Sequence, residues 1–185
     1  MESRSLDALT AIIARARALV LSDYAKGTLT PRIIDRALEL AKARGIPILV
    51  DPKLRRYRLY QGVTLVTPNL YEAERFAGLA VHTDEDITVA ARSILDELGC
   101  TAVLITRGEH GMTLFETRQS PLHIPTLARE VFDVSGAGDT VIAAAALALA
   151  AGSTLPEAAE LANRAAGVVV GKLGTATVEP SELID

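Results

Sequence analysis

The segment Asp133-Val134-Ser135-Gly136-Ala137-Gly138-Asp139-Thr140 concentrates the residues most able to do chemistry. Gly136 and Gly138 free the backbone to turn tightly before an Ala-rich run, so successive N–H groups and the positive end of a following helix converge on one point. That arrangement makes an anion pocket. Asp139 falls in the first turn of the same helix, where its carboxylate can reach a hydroxyl held against a phosphate. Phosphoryl transfer to an alcohol needs this pairing: one feature stabilises charge on the transferring group, and the other removes the hydroxyl proton. An isolated Gly-x-Gly-Asp is also compatible with a plain turn whose aspartate favours a helix N-terminus. Two other phosphate signatures do not fit. The dinucleotide fingerprint needs glycine where Val141 stands, and the Gly-Lys-Ser/Thr of a Walker A loop is absent.

A loop of this kind needs a rigid scaffold, and the chain is long enough for one. Its 185 residues, 49% hydrophobic and 23% charged, predict a single folded domain over residues 1–185. A net charge of -4 and 4% aromatic residues exclude a basic, ring-lined nucleic-acid surface, so a small-molecule partner is expected. The longest uncharged apolar run, Val141 to Ala151, is well short of the roughly 20 residues that cross a bilayer. The N-terminal stretch mixes charges with apolar residues and lacks the core of a secretory signal, which predicts a cytoplasmic protein. Cys100 has no partner for a disulfide and reads as a small buried hydrophobe, and His82, His110 and His123 lack ligand spacing.

Periodicity and breakers predict the element order. A helix over about Leu6 to Ala16 leads into a buried strand over Ala18 to Leu21. Thr30 caps a helix with Pro31 at its first position, running to about Arg44, and Gly45 separates it from a strand over Pro47 to Val50. A strand over Thr64 to Thr67 follows. Asn69 caps a short helix ending near Gly78, Thr83 caps another ending near Gly99, and Ala102 to Thr106 forms a strand. Gly111 to Phe115 and Leu122 to Pro125 have hairpin character. The Ala-rich helix and a last helix, from Thr154-Pro156 to about Leu173, complete the order. Together these elements predict a three-layer α/β fold with a mainly parallel sheet and an antiparallel edge hairpin.

With the elements in this order, DVSGAGDT resembles the DTxGAGD signature of the ribokinase-like (PfkB) carbohydrate kinases. Asn69-Leu70-Tyr71-Glu72 is similar to that family's NxxE motif, Thr106-Arg107-Gly108 with Gly111 to its TxGxxG nucleotide loop, and the segment around Asn163 to its adenine-side helix. Within the family, LVLSDYAKGTL, LVDPK and TLVTPNLYEAE look closest to the heptose-7-phosphate kinase domain of the ADP-heptose enzymes, which supply lipopolysaccharide precursors. The resemblance implies an ATP- and Mg²⁺-dependent kinase acting on a sugar phosphate. Asp139 would be the base, and the N–H groups of Gly136, Ala137 and Gly138 would hold the transferring phosphoryl group. Asn69 and Glu72 would organise Mg-ATP, with Glu72 acting through water. Asp133 and Ser135 would lie near a monovalent-cation (K⁺) site. Lys26 and Lys53 are candidate phosphate contacts for the acceptor.

For several of these positions a plainer role competes. Asp133 and Ser135 can form a strand-end turn, Asn163 can sit on an exposed helix face, and Thr106 to Gly108 can be an ordinary hairpin entry. Asp23 and Asp51 can simply cap turns. The family's N-terminal portion, with its Gly-Gly sugar-binding segment and lid, has no counterpart before Met1, so the chain reads as a kinase fold truncated at its N-terminus. That gap leads to an expectation of homo-oligomerisation or association with the missing half. It also keeps open a shortened, non-catalytic nucleotide-binding protein, or a kinase for another acceptor such as fructose 1-phosphate or ribose.

Overall fold

A computed structural model describes residues 2–52, 57–128 and 130–184. Six strands form one sheet in sequence order: β1 (Leu19–Ser22), β2 (Ile48–Asp51), β3 (Leu65–Val66), β4 (Ala102–Thr106), β5 (Met112–Glu116) and β6 (Leu122–Ile124). The first four pair in parallel, and β5 and β6 pair antiparallel. Helix α1 (Glu2–Ile13) precedes β1, α2 (Pro31–Ala43) connects β1 to β2, α3 (Leu70–Ala77) and α4 (Asp84–Leu98) connect β3 to β4, and α5 (Ala137–Ala151) and α6 (Leu155–Val170) follow the hairpin.

Alternation along the strands sorts the side chains into two cores. Ile48, Val50, Val66, Val103 and Ile105 point into one, with Ile34, Ala37 and Ile94 from the flanking helices. Leu49, Leu65, Ala102 and Leu104 point into the other, against Val141, Ala145, Ala162 and Ala165 of α5 and α6. Both faces of the central strands are therefore buried, as parallel strands require. Each fully buried Leu or Ile contributes about 1.5–3 kcal/mol relative to exposure. Small residues on α5 and α6 let the two helices approach closely under the sheet.

Local chemistry sets most boundaries. Thr30 Oγ1 accepts from Ile33 N (3.3 Å), and Pro31 opens α2. Capping boxes start α3 at Asn69, α4 at Thr83 and α6 at Thr154, while left-handed Gly78 and Gly99 end α3 and α4. Two helix ends differ from the sequence expectation. α1 ends at Ile13, where tighter turns take over through Arg15 N to Ile12 O, and the Arg44 guanidinium caps the Ala14 carbonyl. α6 stops at Val170 rather than Leu173, because the Val170 carbonyl accepts from Phe132 N (2.8 Å) and Asp133 N (3.3 Å). That pair of bonds fixes the strand-like approach to the 133–140 loop.

Candidate active site

The C-terminal ends of β1 to β4 and the N-terminus of α5 meet at one edge of the sheet, the position where parallel α/β folds place ligands. Gly136 caps α5 with φ +81°, a conformation that favours glycine, and a Cβ there would stand 3.1 Å from Thr175 Cγ2. The loop's N–H groups are not all available. Ala137 N donates to Val134 O (3.2 Å), whereas the N–H groups of Gly136, Gly138 and Asp139 have no hydrogen bond among the described residues. The loop donors left open are therefore those of Gly136, Gly138 and Asp139, and of the expected trio the Ala137 N–H is engaged within the loop. The tight turn from Val134 to Ala137 uses the middle donor. A Cβ on Gly138 would meet nothing within 4 Å, so that position opens onto free space. The 15-residue α5 adds the positive end of its dipole.

Asp139 is exposed in the first turn of α5. Its carboxylate accepts from Tyr24 Oη at both oxygens (2.8 and 2.9 Å). The phenol's pKa is raised above the ordinary 10.0, first by that hydrogen bond, then by burial and by the Asp139 charge. Asp139 and Tyr24 line a cavity of about 210 Å³ with Asp51, Thr67, Asn69, Glu72, Thr106 and the two loop glycines. The NxxE segment is a capping box: Asn69 Oδ1 accepts from Glu72 N (2.9 Å), and Glu72 Oε2 accepts from Asn69 N (3.1 Å). The reciprocal bonds turn Glu72, only 9% exposed, toward this cavity. Asn69 also bridges to Thr106, which joins the box to the end of β4.

A second cavity, about 410 Å³, adjoins the first through Thr106 and Gly138. Its walls are mostly apolar and include Met112, Val131, Val134, Val141, Ala166 and Val170. Gly108 and Gly111 form its rim. Gly111 takes φ +75°, and a Cβ there would lie 2.2 Å from Ile124 O. Asn163 also lines this cavity. It is 3% exposed and donates its amide to Pro125 O (2.8 Å), so an exposed helix face is ruled out and its donor ties α6 to the hairpin.

Arg107 departs from the sequence expectation. Its guanidinium turns to the opposite sheet face, donating to Asp84 Oδ1 (2.7 Å) on α4 and Thr113 Oγ1 (3.2 Å) on β5. Only Thr106 and Gly108 of that triplet line the apolar cavity. Asp133 also has a local task, accepting from Ser135 N (2.8 Å), and this bond first of all lowers its pKa. Among the described residues no three His, Cys, Asp or Glu groups cluster to hold a metal. Lys26 lines a separate cavity of about 270 Å³ with Ser22, Asp23, Thr28 and Leu29, and Tyr24 belongs to both this cavity and the acidic one. Lys53 lies outside the described residues.

Sequence reasoning missed Tyr24, Thr67 and the part Asp51 plays in the cavity wall. Their positions at or just beyond the C-terminal ends of β1, β2 and β3 were the available signal. Tyr60 gave none: its phenol is fully buried and donates to Asp23 Oδ2 (2.7 Å) from 37 residues away.

The comparisons agree with this geometry. Residues 1–182 match the model of the pfkB family of carbohydrate kinases. The bifunctional protein HldE of Pelobacter propionicus is 50% identical over 185 residues, all of this chain and 38% of the relative. That of Pectobacterium atrosepticum is 54% identical over 166 residues, 90% of this chain and 34% of the relative. The chain thus spans well under half the length of these relatives. Arabidopsis thaliana ribokinase, solved with ribose and ATP, superposes with a TM-score of 0.79 at 28% identity, over 91% of this chain and 54% of that one. Phosphofructokinase-2 from Escherichia coli, solved with potassium, gives 0.82 at 18% identity, over 96% and 59%, a likeness of fold. The match across residues 1–182, with the loop and capping box in place, shows that the chain belongs to the pfkB family of carbohydrate kinases.

Proposed function

We propose that the chain carries the nucleotide-binding and base-bearing part of an ATP-dependent sugar-phosphate kinase, with heptose 7-phosphate as acceptor. The observation that carries this reading is the junction of two cavities at Gly138, one apolar and one holding the Asp139 carboxylate. A purine matches the apolar cavity, whose rim valines Val131 and Val134 are 60% and 68% exposed. Its phosphate chain then runs to the cradle of Gly136, Gly138 and Asp139 N–H groups, and Asp139 takes the acceptor proton as the hydroxyl attacks.

The acidic cavity has the donor chemistry of Mg²⁺. Asp51, Glu72 and Asp139 face it, and no Lys or Arg is among its lining residues. Mg²⁺ keeps several waters and binds through one or two carboxylates plus phosphates, so a complete protein cage is not required. When bound, the ion neutralises phosphate charge. Glu72 would hold it, through water, in the orientation set by the capping box. Asp133 supplies a hard oxygen donor beside the loop, the chemistry that a monovalent cation such as K⁺ takes.

Lys26, across Tyr24 from the acidic cavity, supports an anionic acceptor. The likeness to the HldE proteins favours a heptose phosphate, and with it a lipopolysaccharide-precursor role in the cytoplasm. Among the described residues no helix is long and apolar enough to cross a membrane. The edge of β1, unpaired among the described residues, with Val20 39% and Leu147 72% exposed, supports association of this face with further polypeptide. Calorimetry with ADP and Mg²⁺, followed by a transfer assay with heptose 7-phosphate, tests the reading. Saturable nucleotide binding and acceptor-dependent ADP formation are expected; a folded sample that binds no nucleotide contradicts it.

A further inference from the structure

The Tyr24 phenol lies where an acceptor hydroxyl must come. A hydroxyl oxygen 2.8 Å from a carboxylate oxygen has the ground-state geometry of proton abstraction, and Tyr24 Oη holds that position against both oxygens of Asp139. The contact spans 115 residues and depends on a loop built to direct the ring. Asp23, 3% exposed, accepts from Ala25 N (2.8 Å) and from the buried Tyr60 phenol (2.7 Å), and its own N–H donates to Asp51 O (3.0 Å). Ala25 is held at φ +55°, a left-handed conformation that costs a non-glycine residue about 1 kcal/mol or more. Tyr24 stands between these two fixed points, with its ring about half exposed. The phenol, its pKa raised above the ordinary 10.0 first by the Asp139 hydrogen bond, is protonated and donating at neutral pH.

We propose that Tyr24 is a stand-in for the acceptor hydroxyl, occupying its seat on Asp139 until the sugar phosphate displaces it and thereby keeping water off the base. The proposal rests on the kinase reading above. The reaction it suppresses is ATP hydrolysis: a water seated on Asp139 gives its proton to the carboxylate, its oxygen bonds to the γ-phosphorus, and the bond to the ADP oxygen breaks, releasing phosphate. Lys26 and the cavity on the far side of Tyr24 give the arriving acceptor phosphate a place from which to push the ring aside. Tyr24 is thus a positioning residue and makes no bond to the transferring group.

Two measurements test this. Acceptor-free ATP hydrolysis should rise roughly 10-fold in Tyr24→Phe, the factor that one hydrogen bond of this kind controls, while the KM for heptose 7-phosphate falls and Mg-ADP affinity is unchanged. An ultraviolet titration of the four tyrosines should show one group moving down toward 10 in Asp139→Asn, and the same group missing in Tyr24→Phe. Hydrolysis in Tyr24→Phe equal to or below wild type, including none in either protein, overturns the proposal. So does a tyrosine titration that Asp139→Asn leaves unchanged. Wild-type transfer to heptose 7-phosphate reports separately on the kinase reading, so transfer without increased hydrolysis in Tyr24→Phe rejects the stand-in alone.

Discussion

Replacing Gly111 by alanine should destabilise the β5–β6 hairpin by an amount that can be worked from the backbone. Gly111 has φ +75° and ψ -128°, where an L-residue is strained by about 1–2 kcal/mol. Its added Cβ would lie 2.2 Å from Ile124 O, 2.6 Å from Thr126 N and 2.7 Å from Pro125 C. All three are backbone atoms at or just after β6, so no flexible side chain can give way. The hairpin must part from the loop, and overpacking of that kind costs about 1–3 kcal/mol more. The expected loss is about 2–5 kcal/mol, read as a lower urea midpoint with an unchanged slope. Gly138→Ala is the counterpart: φ is not positive and its Cβ meets nothing within 4 Å. Within the first turn of α5 it should leave stability unchanged or raise it by up to about 1 kcal/mol, yet weaken ADP binding by filling the cradle. The turn itself therefore needs glycine at position 136, with its φ of +81°, and not at position 138. A Gly111→Ala protein within about 0.5 kcal/mol of wild type would refute this reasoning.

Two further outcomes follow from the titrating groups. Burial pushes the Cys100 thiol up to about 12, so at neutral pH thiol reagents should modify it only as fast as the protein opens, and a burst of labelling in the native state would contradict that. Glu157 is held below its ordinary 4.5, first by the Thr154 N–H and then by the Thr154 hydroxyl. A folded-state value below the unfolded one means that this contribution is present above about pH 4.5 and lost as pH falls through the folded value. Glu157→Gln should therefore lower stability at neutral pH and differ least from wild type in acid. Denaturation midpoints at several pH values check the sign.

Much of the fold was readable because local chemistry and tertiary packing agree. Thr30-Pro31, Asn69 with Glu72, and Thr83 with Gly99 mark helix ends through backbone capping that needs no distant partner. The strand Ala102 to Thr106 was legible from its unbroken apolar run, since both its faces are buried. Long-range bonds decide the rest. α6 loses its last residues to Phe132 and Asp133, which share no periodic pattern with it. At the site, the placement of Gly136, Gly138, Asp139, Asn69, Glu72 and Thr106 around one space was legible as motifs in order. The direction of Arg107 was not, because Asp84 and Thr113 compete for its guanidinium from another face of the sheet. Nor was Tyr24, whose partner lies across the fold.

The most direct measurement is phosphoryl transfer by Asp139→Asn, beside Mg-ADP binding by the same protein. The substitution keeps size and helix position and removes only the basic carboxylate. Nucleotide affinity should stay within about 2-fold, because the Gly136 and Gly138 donors are untouched. Transfer to heptose 7-phosphate should fall by about 10²–10⁴-fold, or about 3–5 kcal/mol of transition-state stabilisation. An Asp139→Asn protein that binds nucleotide normally and still transfers at a near-wild-type rate would show that Asp139 is not the base.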